Sequence, residues 1–144
     1  GIGTNGKMGE LESALGIIQL NYIDKIIKKR KFVYDTYFKK LSLNKNLRIP
    51  TLPKNIEYNY AYFPIFFRNG RSKRDKAYND LKEKNIFCRK YWSPLITDHK
   101  IYKSHRLDEY TNAKSLSNSV LCIPIYPDLN KKDIDQIIIT LLEN

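Results

Sequence analysis

The sequence is poor in the residue types that build metal sites and disulfides. It contains two cysteines, Cys88 and Cys122, and two histidines, His99 and His105. The cysteines lack any CxxC or Cys/His zinc spacing, and each lies in an apolar, strand-like run, where a free thiol behaves as a small hydrophobic residue. The histidines lie in a polar loop without an acidic cluster. We therefore expect no metal site, and free thiols of this kind are typical of a reducing, cytoplasmic setting.

Long apolar runs and the short motifs of common catalytic sites are also lacking. No stretch has the length of a membrane span, and no signal peptide is visible. No P-loop, HExxH or GxSxG string occurs, so no self-sufficient catalytic constellation is present. The chain begins at Gly1, inside what looks like a functional turn. We therefore expect it to be part of a longer protein.

Acidic residues are outnumbered by basic ones. There are 26 Lys and Arg residues against 15 Asp and Glu residues, which gives a formal net charge of +11. Such an excess favours anionic partners, and a basic nucleic-acid-binding module is one interpretation. The other is a lysine-rich surface that keeps the protein in solution. We prefer the second, because the charges are scattered and basic and aromatic residues do not interleave as they do in single-strand binding platforms.

The N-terminal stretch combines a glycine-rich turn with a helical pattern. Asn5 and Lys7 lie in the turn, which has glycines at positions 1, 3 and 6. Apolar residues then recur at three- and four-residue steps, at Met8, Leu11, Leu15 and Ile18. This period predicts an amphipathic helix, with Asn5 as its N-cap. A flexible turn before a helix start, with a lysine beside it, can bind a phosphate or carboxylate, although an ordinary helix start is an open alternative.

The rest of the chain alternates between helical and strand patterns. A second amphipathic helix is predicted at residues 23–41, followed by a proline-containing linker over residues 44–59. Strands are predicted at residues 60–67, 86–92 and 120–126, and helices at residues 72–84, 112–119 and 131–142. We expect Ser72, Asn112 and Asn130 to cap these helices, and Pro64 to place its strand at a sheet edge or a bulge. Two long helices followed by this alternation indicate an α+β or α/β fold.

A second candidate site lies in the run FCRKYWSPL, residues 87–95. Arg89 and Tyr91 cluster with Lys90 and Trp92 at the predicted end of a strand, where helix-covered sheets often place ligand groups. Arg89 can clamp a carboxylate or phosphate with two hydrogen bonds, and the aromatic rings can stack on a base or a sugar. The alternative is a core strand with a salt-bridged arginine.

Four stretches, in this order, resemble signatures of the DegT/StrS-type sugar aminotransferases. They are TNGKMGELESALGIIQL at 4–20, NYAYFPI at 59–65, NIFCRKYWSPL at 85–95 and NAKSLSNSVLCIPIYPDLNKKDID at 112–135. The resemblance covers nearly the whole chain. It implies an α+β fold of α/β-sandwich type, the C-terminal small domain of a type I aminotransferase. Residues 1–43 would be linking helices with a turn that contacts the dimer partner and the cofactor, and residues 44–144 the small domain.

The resemblance also implies a function and a set of binding residues. The full enzyme would use pyridoxal 5'-phosphate to move an amino group from glutamate to a keto-deoxysugar, most closely a dTDP-linked one, in glycan or polysaccharide biosynthesis. Asn5 and Lys7 match cofactor-binding positions, with Asn5 reaching the phosphate of the other subunit of a homodimer with a shared active site. Arg89 and Tyr91 match positions on the substrate side.

No catalytic residue is transferred to this chain by the resemblance. The Schiff-base lysine and the aspartate that pairs with the pyridine nitrogen lie upstream in the family, so this chain is expected to be inactive alone. A cytoplasmic enzyme without a membrane or nucleic-acid partner is expected. The alternatives are the basic nucleic-acid-binding module and a non-catalytic dimerisation module.

Overall fold

The structure, a computed structural model, describes residues 6–102 and 110–144. These residues form five α-helices, two short 3-10 helices and three strands. In chain order they are α1 (Glu10–Leu20), α2 (Ile23–Leu41), β1 (Leu47–Arg48), β2 (Phe63–Phe67), α3 (Gly70–Glu83), the 3-10 helices Ile96–Asp98 and Lys100–Tyr102, α4 (Thr111–Ser119), β3 (Val120–Ile123) and α5 (Lys131–Leu142). Within the described ranges, no helix has both the length and the apolar composition needed to cross a membrane.

The three strands form one antiparallel sheet in the order β1-β2-β3. The central strand β2 alternates, with Phe63, Ile65 and Phe67 buried on one face. The prediction of an edge strand or bulge at Pro64 is therefore wrong. Pro64 lies opposite Cys122 of β3, whereas β1 reaches only the other end of β2. A residue without an N–H is tolerated there because the second neighbouring strand has already ended.

One hydrophobic core joins α2, the sheet, α3 and α5. Apolar side chains with the predicted helical spacing are buried in it: Val33, Tyr34, Tyr37 and Leu41 from α2, Ala77 and Leu81 from α3, and Ile134, Ile137, Ile138 and Leu141 from α5. The Tyr37 hydroxyl donates to the carbonyl oxygen of Pro124 at 3.0 Å, which ties α2 to the end of β3. Burial raises the pKa of the Tyr37 phenol far above its ordinary value, so this donor stays protonated.

The predicted helix caps are confirmed at one position and wrong at three. Asn130 caps α5, because its Oδ1 accepts a hydrogen bond from the backbone N–H of Asp133 at 2.9 Å. In contrast, α3 begins at Gly70, before Ser72, and α4 begins at Thr111, so that Asn112 lies inside the helix. The helix α1 begins at Glu10 with a glycine at its N-cap. The three predictions were wrong because Ser and Asn are common near helix starts even where they form no capping hydrogen bond. In α1, glycines also delay the start of the helix.

Two further differences concern strands. The run 86–92 is not a strand, since its backbone pairs only once, with Arg89 and Cys122 exchanging hydrogen bonds of 2.9 and 2.8 Å. An apolar run suits a packed irregular segment as well as a strand, and Cys88 is indeed buried. The linker 44–59, in turn, contains the two-residue strand β1. Asn85 adopts a left-handed conformation after α3, with φ of 59°.

Candidate functional site

The predicted residues Arg89 and Tyr91 line one cleft, with a volume of about 790 Å³. We call it the strand-end cleft. It is lined by Tyr78 from α3 and by residues 87–94. The Tyr91 ring lies 4.6 Å from the ring of Trp92, centroid to centroid, and Trp92 is 73% exposed. Because Arg89 is also exposed, the cleft presents a guanidinium beside two accessible aromatic rings. This set can bind an anionic group and stack on a planar or sugar ring.

A cluster of three charged side chains lies behind this segment. Arg74 of α3 is only 1% exposed, and its Nη1 donates to the carbonyl oxygens of Ser117 and Val120 at 3.0 and 3.4 Å. Its Nε lies 2.7 Å from Oδ1 of Asp75, and Nζ of Lys90 lies 2.7 Å from the same oxygen. We call these residues the Arg74–Asp75–Lys90 cluster. It connects α3, the α4–β3 junction and the cleft-lining segment.

The electrostatics of this cluster favour its ionised form. Burial alone would raise the pKa of the Asp75 carboxyl, but the hydrogen bond from Lys90 and the charge of Arg74 together hold this pKa below its ordinary value. Lys90 also lies over the ring of Tyr78, with Nζ 4.0 Å from the ring centroid. Both interactions keep the Lys90 ammonium directed toward α3.

Three attachments therefore hold the segment that carries Arg89 and Tyr91. The first is the backbone pairing of Arg89 with Cys122. The second is the Lys90–Asp75 ion pair. The third is the hydroxyl of Ser117, which donates to the carbonyl oxygen of Trp92 at 2.6 Å. The segment is irregular in secondary structure but fixed at three successive points, which is what a binding site needs to hold its side chains in place.

The structural role of Arg74 is not among the features predicted from the sequence. A signal was present, because Arg74 precedes Ala77 by three residues and Leu81 by seven, and so lies on the apolar face of α3. A charged residue in that position must find buried partners, which here are two carbonyl oxygens and a carboxylate. The carboxylate of Asp75 binds the other two side chains of the cluster.

The structure describes one of the two predicted cofactor-binding residues. Asn5 lies outside the described residues. Lys7 is exposed, in a segment without regular secondary structure before α1, and is not among the residues that line the cleft. Nothing in the described structure tests their role.

The helix α1, which follows this segment, has no buried residue. Its apolar side chains are exposed, including Leu11 at 84%, Leu15 at 56% and Ile18 at 55%. A Cβ added at Gly16 would meet no atom within 4 Å among the described residues, so this face of α1 makes no close contact with them. An amphipathic helix normally buries such a face.

The two cysteines are free and buried. Burial raises the pKa of the Cys88 thiol to about 12 and that of the Cys122 thiol to about 11. Both are therefore neutral and poor nucleophiles at physiological pH. Within residues 6–102 and 110–144, no group of three or more His, Cys, Asp or Glu side chains is arranged to hold a metal ion.

Solved structures with the same fold include several aminotransferases. The aminotransferase TlmJ from Streptoalloteichus hindustanus superposes with a TM-score of 0.84 at 20% identity, and 98% of this chain covers 37% of that protein. PseC from Helicobacter pylori, an aminotransferase involved in pseudoaminic acid biosynthesis, gives a TM-score of 0.83 at 21% identity, with 99% of this chain covering 39% of it. The fold is thus the C-terminal α+β domain of type I aminotransferases, which confirms the predicted fold class.

The sequence comparisons identify the family. Residues 1–142 match the profile of the DegT/DnrJ/EryC1/StrS aminotransferase family, and the chain belongs to this family. It is 40% identical over 144 residues to a dTDP-4-amino-4,6-dideoxy-D-glucose transaminase of Escherichia coli, and 32% identical to the transaminase of that name from Shigella dysenteriae. These alignments cover 97% and 99% of this chain but 39% of each relative. The predicted family is therefore confirmed.

Proposed function

We propose that this chain is the C-terminal part of a pyridoxal-phosphate-dependent enzyme that transfers an amino group from glutamate to a dTDP-linked keto-deoxysugar. The family match over residues 1–142 is the observation that carries this proposal. The names of the 40% and 32% identical relatives support the dTDP-sugar class. A cytoplasmic role in glycan or polysaccharide biosynthesis belongs to the same proposal.

In this proposal the strand-end cleft binds substrate. The Arg89 guanidinium binds the carboxylate of the amino donor or a phosphate of the nucleotide sugar, since both are planar or multidentate anions. Tyr91 stacks against the sugar or the base, and Trp92 forms the outer wall of the cleft. The Arg74–Asp75–Lys90 cluster orients this segment. The chain supplies binding and orientation, which lower the entropy cost of bringing the two reactants together.

The cofactor is proposed to bind near the N-terminal turn. A bound phosphate needs donors that no protein carboxylate already occupies, and the exposed Lys7 ammonium has no carboxylate partner in the described ranges. Lys7 therefore fits this role, together with Asn5. Pyridoxal 5'-phosphate would supply an electron sink for the carbon that loses or gains the amino group. The lysine that carries the cofactor is proposed to lie outside this chain, which would then be inactive alone.

A homodimer with a shared active site is part of the proposal. The support is α1, whose apolar side chains are exposed directly after the proposed cofactor-binding turn. Exposed apolar helix faces of this kind mark interaction surfaces. The division into linking helices at 1–43 and a small domain at 44–144 also stays a prediction, and the C-terminal half of α2 packs into the same core as the sheet.

The proposal of a nucleic-acid-binding module is disfavoured by the pairing of basic residues on α2. Lys29 lies 2.6 Å from Asp128, and Lys40 lies 2.9 Å from Asp135. Part of the basic face is thus matched by carboxylates of the chain itself, which reduces the field available to a polyanion. Gel-shift titrations against salt would detect such binding through a steep loss of affinity.

The proposed substrate role is tested with Arg89→Gln in the complete enzyme. One charge-assisted hydrogen bond contributes about 1.5–3 kcal/mol, so we expect KM for the donor or the acceptor to rise by about tenfold or more. Lys54→Gln, which removes an exposed charge in the loop before β2, is the matched control and should leave both KM values unchanged. Equal kinetics for the two variants would contradict the role of Arg89.

The cofactor role is tested with Asn5→Ala and with the isolated chain. We expect Asn5→Ala to raise the dissociation constant of the cofactor in the complete enzyme, as measured by equilibrium dialysis. Unchanged retention would remove Asn5 from the site. The 144-residue chain incubated with cofactor and borohydride should gain no stoichiometric adduct mass, because none of its lysines is proposed to carry the cofactor.

A further inference from the structure

Three arginines from different elements converge on a second concavity of about 490 Å³. Arg48 belongs to β1, Arg68 directly follows β2, and Arg71 lies in the first turn of α3. The opposite wall is α4, which contributes Ser115 and Asn118. We call this concavity the arginine cavity. It shares no lining residue with the strand-end cleft.

The charge in this cavity is largely unbalanced. No Asp or Glu is among the described residues that line it. The Arg48 guanidinium lies over the ring of Phe66, 4.3 Å from the centroid, and Arg68 has no ion-pair partner within residues 6–102 and 110–144. Arg71 lies 3.5 Å from Oδ2 of Asp75, a longer contact than the 2.7 Å that Arg74 and Lys90 make to the other oxygen of that carboxylate. Guanidinium groups that line one concavity repel one another unless an anion lies between them.

We propose that the arginine cavity binds the phosphate group of a small phosphorylated molecule. Guanidinium groups form paired hydrogen bonds with phosphate oxygens, and three of them can surround one such group. Ser115 and Asn118 add a hydroxyl and an amide to the wall that faces the arginines. The volume of this concavity lies in the range of small-molecule sites.

Site-resolved arginine modification of the complete protein tests this proposal. Phenylglyoxal reacts with accessible guanidinium groups, and mass spectrometry of peptides gives a separate rate for each arginine. We expect inorganic phosphate to slow modification of Arg48 and Arg68 by about fivefold or more, compared with chloride at the same ionic strength, because a bound dianion occupies both groups. Equal rates in phosphate and chloride would overturn the proposal.

Two further arms identify the ligand and separate local binding from a general charge effect. Thymidine diphosphate replaces inorganic phosphate in one arm: greater protection by the diphosphate indicates a phosphate ester as the ligand, and equal protection indicates free phosphate. In the other, Arg48→Gln should remove most of the protection at Arg68, whereas Lys54→Gln should not. Protection at Arg68 that survives Arg48→Gln unchanged would overturn the shared site.

Discussion

Replacement of Arg74 by methionine should loosen the junction between α4 and β3. Methionine keeps most of the apolar stem and removes the guanidinium, so the hydrogen bonds to the carbonyl oxygens of Ser117 and Val120 are lost. The Asp75 carboxylate keeps Lys90 as its partner, because Nζ of Lys90 lies 2.7 Å from Oδ1. The change therefore exposes the energetic role of one buried arginine without leaving a carboxylate unpaired.

The magnitude follows from these contacts. Each hydrogen bond from a charged donor contributes about 1.5–3 kcal/mol, and the bond at 3.4 Å is the weaker one. The ion pair adds less, since the Asp75 side chain is 33% exposed and is screened by solvent. The methionine side chain recovers part of the lost free energy of unfolding by packing against apolar neighbours. We expect a net destabilisation of about 3 kcal/mol, which corresponds to about a hundredfold change in the opening equilibrium.

Amide hydrogen exchange of the complete protein, followed by mass spectrometry on peptides from residues 111–123, measures this opening. Exchange in Arg74→Met should be faster by about a hundredfold. The control is Arg71→Met on the same helix, where the arginine is 70% exposed and 3.5 Å from Asp75, and exchange should change by about twofold or less. Equal exchange rates in the two variants would refute a stabilising role for Arg74. They would mean that the free-energy cost of removing its charge from water is as large as the gain from its hydrogen bonds.

Three further predictions concern the cap, the thiols and the last helix. Asn130→Ala should lower the free energy of unfolding by about 1 kcal/mol in a denaturant titration, whereas Asn112→Ala, inside α4, should not lower it; equal losses would contradict the capping assignment. Because burial raises the pKa of the Cys88 thiol to about 12, iodoacetamide should not label it in the native protein at pH 8 and should label it in urea; rapid native labelling would refute this. Ile137→Ala should destabilise by about 2–5 kcal/mol and Leu142→Ala, which is 49% exposed, by much less, as measured by thermal unfolding; similar melting temperatures would contradict the assigned core face.

The sequence predicted best those features that depend on local period. The apolar spacing of α5 and of the C-terminal half of α2 identified the residues that are buried. Asn130 was identified as a cap because it directly precedes the apolar stripe of α5. Leu142 is apolar but exposed, because it lies about 100° around the helix from the buried Leu141. The family motifs supplied the fold class, which local period left open.

The features that sequence alone missed depend on contacts between distant residues. Ser117 binds Trp92 across 25 residues, and Arg74 binds the carbonyl oxygen of Ser117 across 43. No local pattern encodes such pairs. The same holds for Pro64, whose place in a central strand is possible only because β1 is too short to reach it. Local sequence singled out Arg89 and Tyr91, whose binding role stays a prediction, and it did not reveal the cluster that holds their segment in place.

The exposed face of α1 has a consequence for how this segment folds. The helix has 11 residues and no buried side chain. Isolated helices of that length are marginal in water, because the cost of nucleating the first turn is recovered only over a longer run of hydrogen bonds. The helix content of α1 therefore depends on what covers its apolar face. If that cover is a second copy of the chain, the helix content of α1 rises with protein concentration.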